Sequence, residues 1–304
     1  MAVTAGMVKE LRERTGAGMM DCKNVLVETD GNIEKAIELL REKGLAKAAK
    51  KAGRVASQGL VQLAFTEDGK KAAAIEVNSE TDFVAKNEEF IDFVSTLAGM
   101  VLNGNAVNMD EFLALNYKEE GTIKDALNNK IAKIGENMSI RRFTKCDKPG
   151  VVYVGYVHGG GKIGVIVGLE TETTLEQVSV LGKDLAMQVA SMNPKYIDES
   201  YVDPVYIESE LNIYMQQAKN EGKPEKIAEK MATGRMNKEL KEICLLAQKF
   251  VKNGDITVEQ YIDETVKELG KTIKVVEMIR YEVGEGIEKE EENFAEEVAK
   301  QMNN

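Results

Sequence analysis

The side chains best suited to bond-making chemistry are scarce in this sequence and lie far apart. There is one histidine, His158, and the three cysteines stand at positions 22, 146 and 244. No serine or cysteine nucleophile motif and no HExxH metal site accompanies the histidine, and the cysteine spacing fits neither a disulfide framework nor a CxxC site. The sequence therefore predicts a protein that is not an enzyme, without catalytic residues, metal or cofactor, in a reduced cytoplasmic setting.

A glycine-rich stretch after His158 offers the main alternative, a nucleotide site. Gly159, Gly161 and Gly164 satisfy the GxGxxG pattern, which binds a dinucleotide where it joins a strand to a helix. Here a β-like run follows instead, and Lys162 is followed by isoleucine where a phosphate-binding loop needs Ser or Thr. A hairpin turn is the better interpretation, and measurable binding of NAD would contradict it.

The residues 76–90, EVNSETDFVAKNEEF, place an acid and an aromatic side chain where a β-like segment passes into a helix. If Asp82 and Phe83 are exposed at that bend, they can contact a partner. In one continuous helix, however, Phe83 would share a face with Phe90 and belong to the core, and Asp82 would only stabilise the helix N-terminus. The residues alone leave both interpretations open.

The bulk composition is typical of an acidic globular protein with more than one domain. The 304 residues exceed one ordinary core, and 43% hydrophobic with 30% charged residues is ordinary for such a protein. A net charge of -11 argues against nucleic acid as a direct ligand. The most apolar stretch, residues 151–169, is interrupted by charge and glycine, so we expect neither a membrane span nor a signal peptide.

Three short helices are predicted within residues 1–54. Thr4 and Asn32 are placed to cap the first and third helices, and the second is expected at residues 19–29. Residues 43–54 hold five cations and no acid. We interpret that stretch as a helix tail and solvated linker, and a strip that docks on an acidic surface is the alternative.

Two α+β units are predicted next, at residues 55–145 and 146–283. The first has a hairpin, two helices and a strand near residues 138–143, and the second repeats the hairpin and helix in outline and closes with a strand near residues 274–283. The first helix presents one apolar face, formed by Phe90, Val94, Leu97 and Val101. An inserted helical hairpin at about residues 204–250 is expected to project from the body, with a covering layer as the alternative. Residues 284–304 are expected to form a short acidic helical module.

Several separated motifs together resemble the elongation factor Ts family. They are TDFVAKN after an apolar strand, LRERTGAGMMDCK at residues 11–23, KIGEN at 133–137, the HG turn before IGV, GKPEKIAEKM, and VGEGIEK near the end. The resemblance implies an α+β fold: an N-terminal three-helix module resembling ubiquitin-associated domains, a two-subdomain core with antiparallel sheets, a coiled-coil hairpin and a C-terminal helical module. It also implies a function, exchange of guanine nucleotide on elongation factor Tu during translation elongation.

The resemblance further implies which residues contact elongation factor Tu, in its GDP-bound and nucleotide-free forms. Those expected to disturb its magnesium and nucleotide site are Thr81, Asp82, Phe83 and Val84. The other implied contacts are Arg12, Met19 and Met20 with the nucleotide-binding domain, Ile134, Gly135 and His158 with the third domain, and Val251. Lys252 and the pair Ser79-Glu80 depart from the family's pattern. These departures weaken the expected partner contact at Val251 more than the expected contact at residues 81–84.

Two questions stay open at this point. Some family members self-associate through the helical hairpin, so this chain is a candidate homodimer, but the hairpin could equally touch only solvent. A scaffold or adaptor that uses the three-helix module and a dimerising hairpin is the alternative function, and partner binding that ignores the partner's nucleotide would favour it.

Overall fold

The computed structural model describes residues 3–288. Its N-terminal part consists of α1 (Ala5–Thr15), α2 (Met19–Glu28) and α3 (Ile33–Lys51). The two predicted caps are confirmed, because the side chains of Thr4 and Asn32 accept hydrogen bonds from backbone N–H groups of the first turns of α1 and α3. Six residues form the core of this part: Val8, Leu11, Cys22, Val25, Leu26 and Ala36.

Helix α3 extends through most of the cationic stretch that we interpreted as a tail and linker. The connecting segment begins only after Lys51, and the lysines along the helix have partners. Lys43 pairs with Glu28 and Lys47 with Asp21, while Lys51 Nζ donates to the carbonyl oxygen of Gly135 at 2.5 Å. The helix tail is therefore confirmed, but the solvated connector is shorter than predicted. The lysines of this stretch hold α3 against α2 and against the end of α7.

The first sheet consists of β1 (Gln58–Phe65), β2 (Ala72–Ser79) and β3 (Met138–Cys146), all antiparallel with β2 in the centre. Between β2 and β3 lie α4 (Asp82–Ala85), α5 (Glu88–Asn103), α6 (Met109–Leu113) and α7 (Ile123–Ile134). The predicted apolar face of α5 is buried on this sheet, together with residues of α7. Helix α6 was not predicted.

The second sheet repeats the arrangement with β4 (Val151–His158), β5 (Ile163–Thr171) and the late strand β8 (Ile273–Glu282). Its outer face is covered by α8 (Leu175–Met192) and by α11 (Val258–Leu269). The prediction missed α11 and the small ribbon of β6 (Lys249–Phe250) and β7 (Asn253–Thr257) that precedes it.

The two sheets face each other across a shared apolar layer. Side chains from both sheets form it: Ala72, Ala74, Cys146, Val151, Tyr153 and Ile166. Their close approach requires a glycine on β5, because a Cβ atom at Gly164 would lie 2.4 Å from Val61 Cγ1. The result is four layers, with the outer helices on both sides of two stacked sheets.

Gly164→Ala is expected to destabilise the fold by about 1–3 kcal/mol, since the added methyl group overpacks the layer between the sheets. Urea unfolding would measure the change in the free energy of unfolding. The matched control is Gly99→Ala on α5, where a Cβ atom would meet nothing within 4 Å, so alanine should be neutral or stabilising by up to about 1 kcal/mol. Equal effects of the two substitutions would contradict this packing.

The helical hairpin is formed by α9 (Pro204–Asn220) and α10 (Glu225–Ile243). Ala218, Ala228 and Ala232 are buried along it, whereas Met236 and Leu240 pack at its base with Val202 and Cys244. This arrangement supports the predicted projection rather than a covering layer.

The described part of the chain ends just after β8. Residues 283–286 form turns, and the rest of the helical module predicted at residues 284–304 lies largely outside the described residues. No helix within residues 3–288 is long and apolar enough to cross a membrane.

Candidate functional site

The tip, residues 81–84, lies directly after the central strand β2, where the chain forms two separate helices. Thr81 caps α4, Lys86 ends it, and the side chain of Asn87 caps α5 by accepting a hydrogen bond from the N–H of Glu89. This break removes the continuous helix in which Phe83 would have been core. Phe83 is 80% exposed, whereas the neighbouring Val84 is buried at 7%. The core interpretation of Phe83 is therefore wrong.

Asp82 is held as a negative charge beside the exposed ring. Its Oδ2 atom lies 2.6 Å from Lys86 Nζ, one turn along the chain. The hydrogen bond and charge of Lys86, with a further contribution from the charge of Lys162, lower the pKa of Asp82 below its ordinary value. The carboxylate is consequently ionised at neutral pH and still partly open to a partner.

The backbone of the tip is held by hydrogen bonds to residues 135–137, which connect α7 to β3. Glu136 accepts two hydrogen bonds from Thr81, one from the N–H at 3.0 Å and one from the hydroxyl at 2.7 Å. In the opposite direction, Glu80 accepts the N–H of Asn137 at 2.5 Å. Ser79 adds a bond from its hydroxyl to the carbonyl oxygen of Thr81. The tip thus combines a tethered backbone with a free aromatic side chain.

Ile134 and Gly135 lie next to this tether. Gly135 ends α7 in the left-handed conformation with φ 89°, and its carbonyl oxygen receives the bond from Lys51. The structure therefore brings these two residues beside the tip, although the resemblance assigned them to a different domain of the partner. That assignment stays a prediction.

Arg12 lies in the last turn of α1, Met19 and Met20 begin α2, and the turn between these helices approaches Lys133 of α7. The two methionines are 58% and 63% exposed at the start of α2. A Cβ atom at Gly16, in the preceding turn, would lie 3.5 Å from Lys133 Nζ, and that ammonium is 2.8 Å from Glu89 in the first turn of α5. The turn between α1 and α2 therefore lies close to the ionic link between α7 and α5.

The ionic link at Glu89 is well formed. Burial opposes ionisation of this carboxyl, but hydrogen bonds from Lys133 and Lys130 outweigh that effect and lower its pKa. The link is therefore charged at neutral pH and joins α7 to α5.

His158 ends β4 at the glycine turn and is exposed. Its Nδ1 atom lies 2.9 Å from Tyr156 Oη. The turn is the predicted hairpin, since residues 159–161 all have positive φ and His158 pairs with Ile163. A shallow groove of about 370 Å³ separates this turn from the α4–α5 junction, and it is lined by Leu60, Gln62, Ala85, Lys86, Ile91, Val157, Gly160 and Gly161.

Val251 lies elsewhere, in the connection between β6 and β7. It is 45% exposed, and its N–H donates to Gln188 of α8 at 2.8 Å. The adjacent Lys252 pairs with Asp184 of α8 at 2.6 Å, and the same carboxylate accepts a bond from Tyr261. Lys252, which departs from the family's pattern, is thus integrated into the helical layer of the second sheet.

Sequence reasoning missed Glu136, Glu80 and Lys133 as parts of the site. The only signal for Glu136 and Lys133 was their presence in KIGEN, because Thr81 and Glu136 are 55 residues apart. Within residues 3–288, no group of three or more His, Cys, Asp or Glu side chains could hold a metal ion. The site offers contact surface and fixed charge.

Comparison with known proteins identifies relatives along nearly the whole chain. A family model described as Elongation factor TS matches residues 80–285. The elongation factor Ts of Clostridioides difficile (strain 630) is 58% identical over 300 residues, and that of Clostridium novyi (strain NT) is 55% identical over 303 residues. The protein of that name from Clostridium tetani (strain Massachusetts / E88) is 54% identical over 302 residues. In each case the match covers 99% of both chains.

Proposed function

Because the chain belongs to the elongation factor Ts family, we infer that it is a guanine-nucleotide exchange factor for elongation factor Tu in translation elongation. It makes and breaks no covalent bond, and it accelerates the release of bound GDP. This membership favours exchange over the scaffold alternative. On the same ground we propose that it acts in the cytoplasm and binds elongation factor Tu in both its GDP-bound and nucleotide-free forms.

We propose that the tip performs the exchange step. The observation that supports this most directly is Phe83, an aromatic ring 80% exposed on a backbone that Glu136 holds in place. Magnesium needs near-octahedral geometry and bridges the phosphates to the partner's phosphate-binding loop. A ring that enters near that site displaces the surrounding elements, and the ionised Asp82 disturbs the ion's polar neighbours. A small displacement weakens retention of GDP without any proton transfer.

Binding energy must come from more than the tip. Exchange is reciprocal, so this chain must weaken GDP binding by the factor by which GDP weakens the chain's own binding. Moving a two-state partner from about 1:99 to 99:1 takes about 5.5 kcal/mol, whereas burying one phenylalanine contributes about 1.5–3 kcal/mol. We propose that the remainder comes from the exposed surface around Arg12, Met19 and Met20, from Ile134 and Gly135, and from His158 and Val251.

The direct test is release of fluorescent GDP from elongation factor Tu. Adding this chain in the presence of excess unlabelled GDP should accelerate the loss of label by orders of magnitude, with a rate that saturates as the chain concentration rises. The same chain should not accelerate GDP release from an unrelated GTP-binding protein. Release at the unassisted rate would contradict the exchange function.

Self-association is a separate proposal. The helical hairpin exposes Ile213 and Ile227 at 45% and 49%, so it is the candidate surface for a homodimer. Light scattering on the full chain measures this directly, and exchange as proposed requires only one copy.

A further inference from the structure

We propose that Glu136 is a positioning residue for exchange, one that holds the tip so that Phe83 points outward. This inference rests on the proposed function of the tip. Glu136 does not need to touch the partner for it. It acts through Thr81, the residue from which the short helix α4 begins.

The contact between Glu136 and Thr81 uses both carboxylate oxygens. One oxygen accepts the Thr81 N–H and the other accepts its hydroxyl, at 3.0 Å and 2.7 Å. Since that hydroxyl donates to Glu136, its lone pairs are free for the N–H of Val84, which lies 3.4 Å away. Glu136 therefore sets the direction of the group that caps α4.

Helix α4 depends on such a contact because it has only four residues. Helices this short are unstable by themselves, since nucleation costs more than so few hydrogen bonds return. Val84 and Ala85 anchor one side of α4 in the core. The Glu136 contact fixes the other end, and together the two anchors define the direction of the exposed ring.

Glu136 is itself held on a firm support. The preceding Gly135 receives the bond from Lys51. The following Asn137 donates its N–H to Glu80, and its side-chain amide donates to the carbonyl oxygen of Arg54 at 2.7 Å. The end of α3 and the segment after it thus brace the turn that carries the carboxylate.

The experiment compares Glu136→Ala with Glu136→Gln in single-turnover release of labelled GDP from elongation factor Tu. Glu136→Ala removes two charge-assisted hydrogen bonds, so we expect the maximal release rate at saturating chain to fall about tenfold. Glu136→Gln can accept the Thr81 N–H with its amide oxygen and donate its amide N–H to the Thr81 hydroxyl oxygen, so it should stay within about threefold of the parent chain. The concentration giving half-maximal rate should change little in both, and Glu172→Ala, at a side chain 91% exposed, serves as the control.

A double variant separates positioning from general destabilisation. If Glu136 acts through the ring, adding Glu136→Ala to Phe83→Ala should cause almost no further loss of rate. Multiplying losses would overturn the positioning role. A parent-like rate for Glu136→Ala beside a slow Phe83→Ala would overturn this inference alone, whereas a parent-like rate for Phe83→Ala would overturn the proposed function of the tip.

A substitution of Thr81 tests the same contact from its other side. Thr81→Val removes the hydroxyl, and with it both the bond to Glu136 and the cap on the Val84 N–H, but it keeps the backbone N–H bond to Glu136. It should therefore slow release by about threefold while leaving the chain folded. If Glu136→Ala fails to fold, this variant carries the test. Release at the parent rate from Thr81→Val would then contradict the inference.

Discussion

Phe83→Ala is expected to lower the maximal rate of GDP release from elongation factor Tu by about tenfold to a hundredfold, because about 1.5–3 kcal/mol of ring burial is lost from the complex in which GDP leaves. Formation of the complex should be largely retained, since the surfaces around Met19, Ile134 and Val251 are untouched. Stopped-flow release of labelled GDP at saturating chain measures the first quantity, and the dependence on chain concentration measures the second.

Because the Phe83 ring is exposed, a slower release by Phe83→Ala cannot be attributed to a loss of stability. Phe83 is 80% exposed in the free protein, so its truncation should change the free energy of unfolding by no more than about 0.5 kcal/mol. Val107→Ala is the matched control, because Val107 is an apolar residue that is 82% exposed in the connection between α5 and α6. Release at the parent rate from Phe83→Ala, or an equal slowing by Val107→Ala, would contradict the role of the tip.

The fold could be predicted from the sequence wherever short-range patterns decide it. The apolar face of α5 follows from helical periodicity, and the caps at Thr4 and Asn32 follow from residue type. The break before α5 could have been found too, since Asn87 followed by Glu88 and Glu89 is a typical helix start. The interpretation of Phe83 nevertheless stayed open, because the spacing of Phe83 and Phe90 also fits one continuous helix.

The tether of the tip could not be predicted in that way. Glu136 meets Thr81, and Glu80 meets Asn137, only because the strands on either side of α4–α7 pair in one sheet. No local pattern marks a carboxylate that accepts hydrogen bonds from a residue 55 positions away. The other site residues were likewise chosen because they match motifs of the family, and no physical argument from the sequence selected them. Their contacts with a partner stay predictions. The domain boundaries also stay predictions.

Glu76 lies at the centre of an ionic network that joins the first sheet to the end of β8 in the second. It is fully buried on β2. Arg141 and Arg142 of β3 lie 3.0 Å and 2.6 Å from its two oxygens, and the N–H of Gly284, just after β8, donates to it at 2.8 Å. One carboxylate thus ties the first sheet to the chain segment that leaves the second.

Glu76→Ala is expected to lower the free energy of unfolding by about 3 kcal/mol, because it leaves two arginines and a backbone N–H without their shared buried partner. Urea unfolding at neutral pH measures the loss. Glu225→Ala on the hairpin is the matched control, since Glu225 pairs with Lys219 at 3.1 Å on the surface, and exposed pairs contribute about 0–1 kcal/mol. Similar losses in the two variants would contradict the central role of Glu76.

The pH dependence of stability gives the same network a second, independent signature. Burial opposes ionisation of Glu76, but the bonds from Gly284, Arg141 and Arg142 outweigh it, so its pKa is lower in the folded than in the unfolded chain. Its contribution is therefore fully present above the unfolded pKa of about 4.3 and is lost as the pH falls through the folded value. Glu76→Gln cannot ionise, so between about pH 5 and pH 3 its free energy of unfolding should fall less steeply than that of the parent chain. Parallel curves for the two proteins would mean that Glu76 carries no linked charge, and the buried ion pairs would then contribute nothing to acid sensitivity.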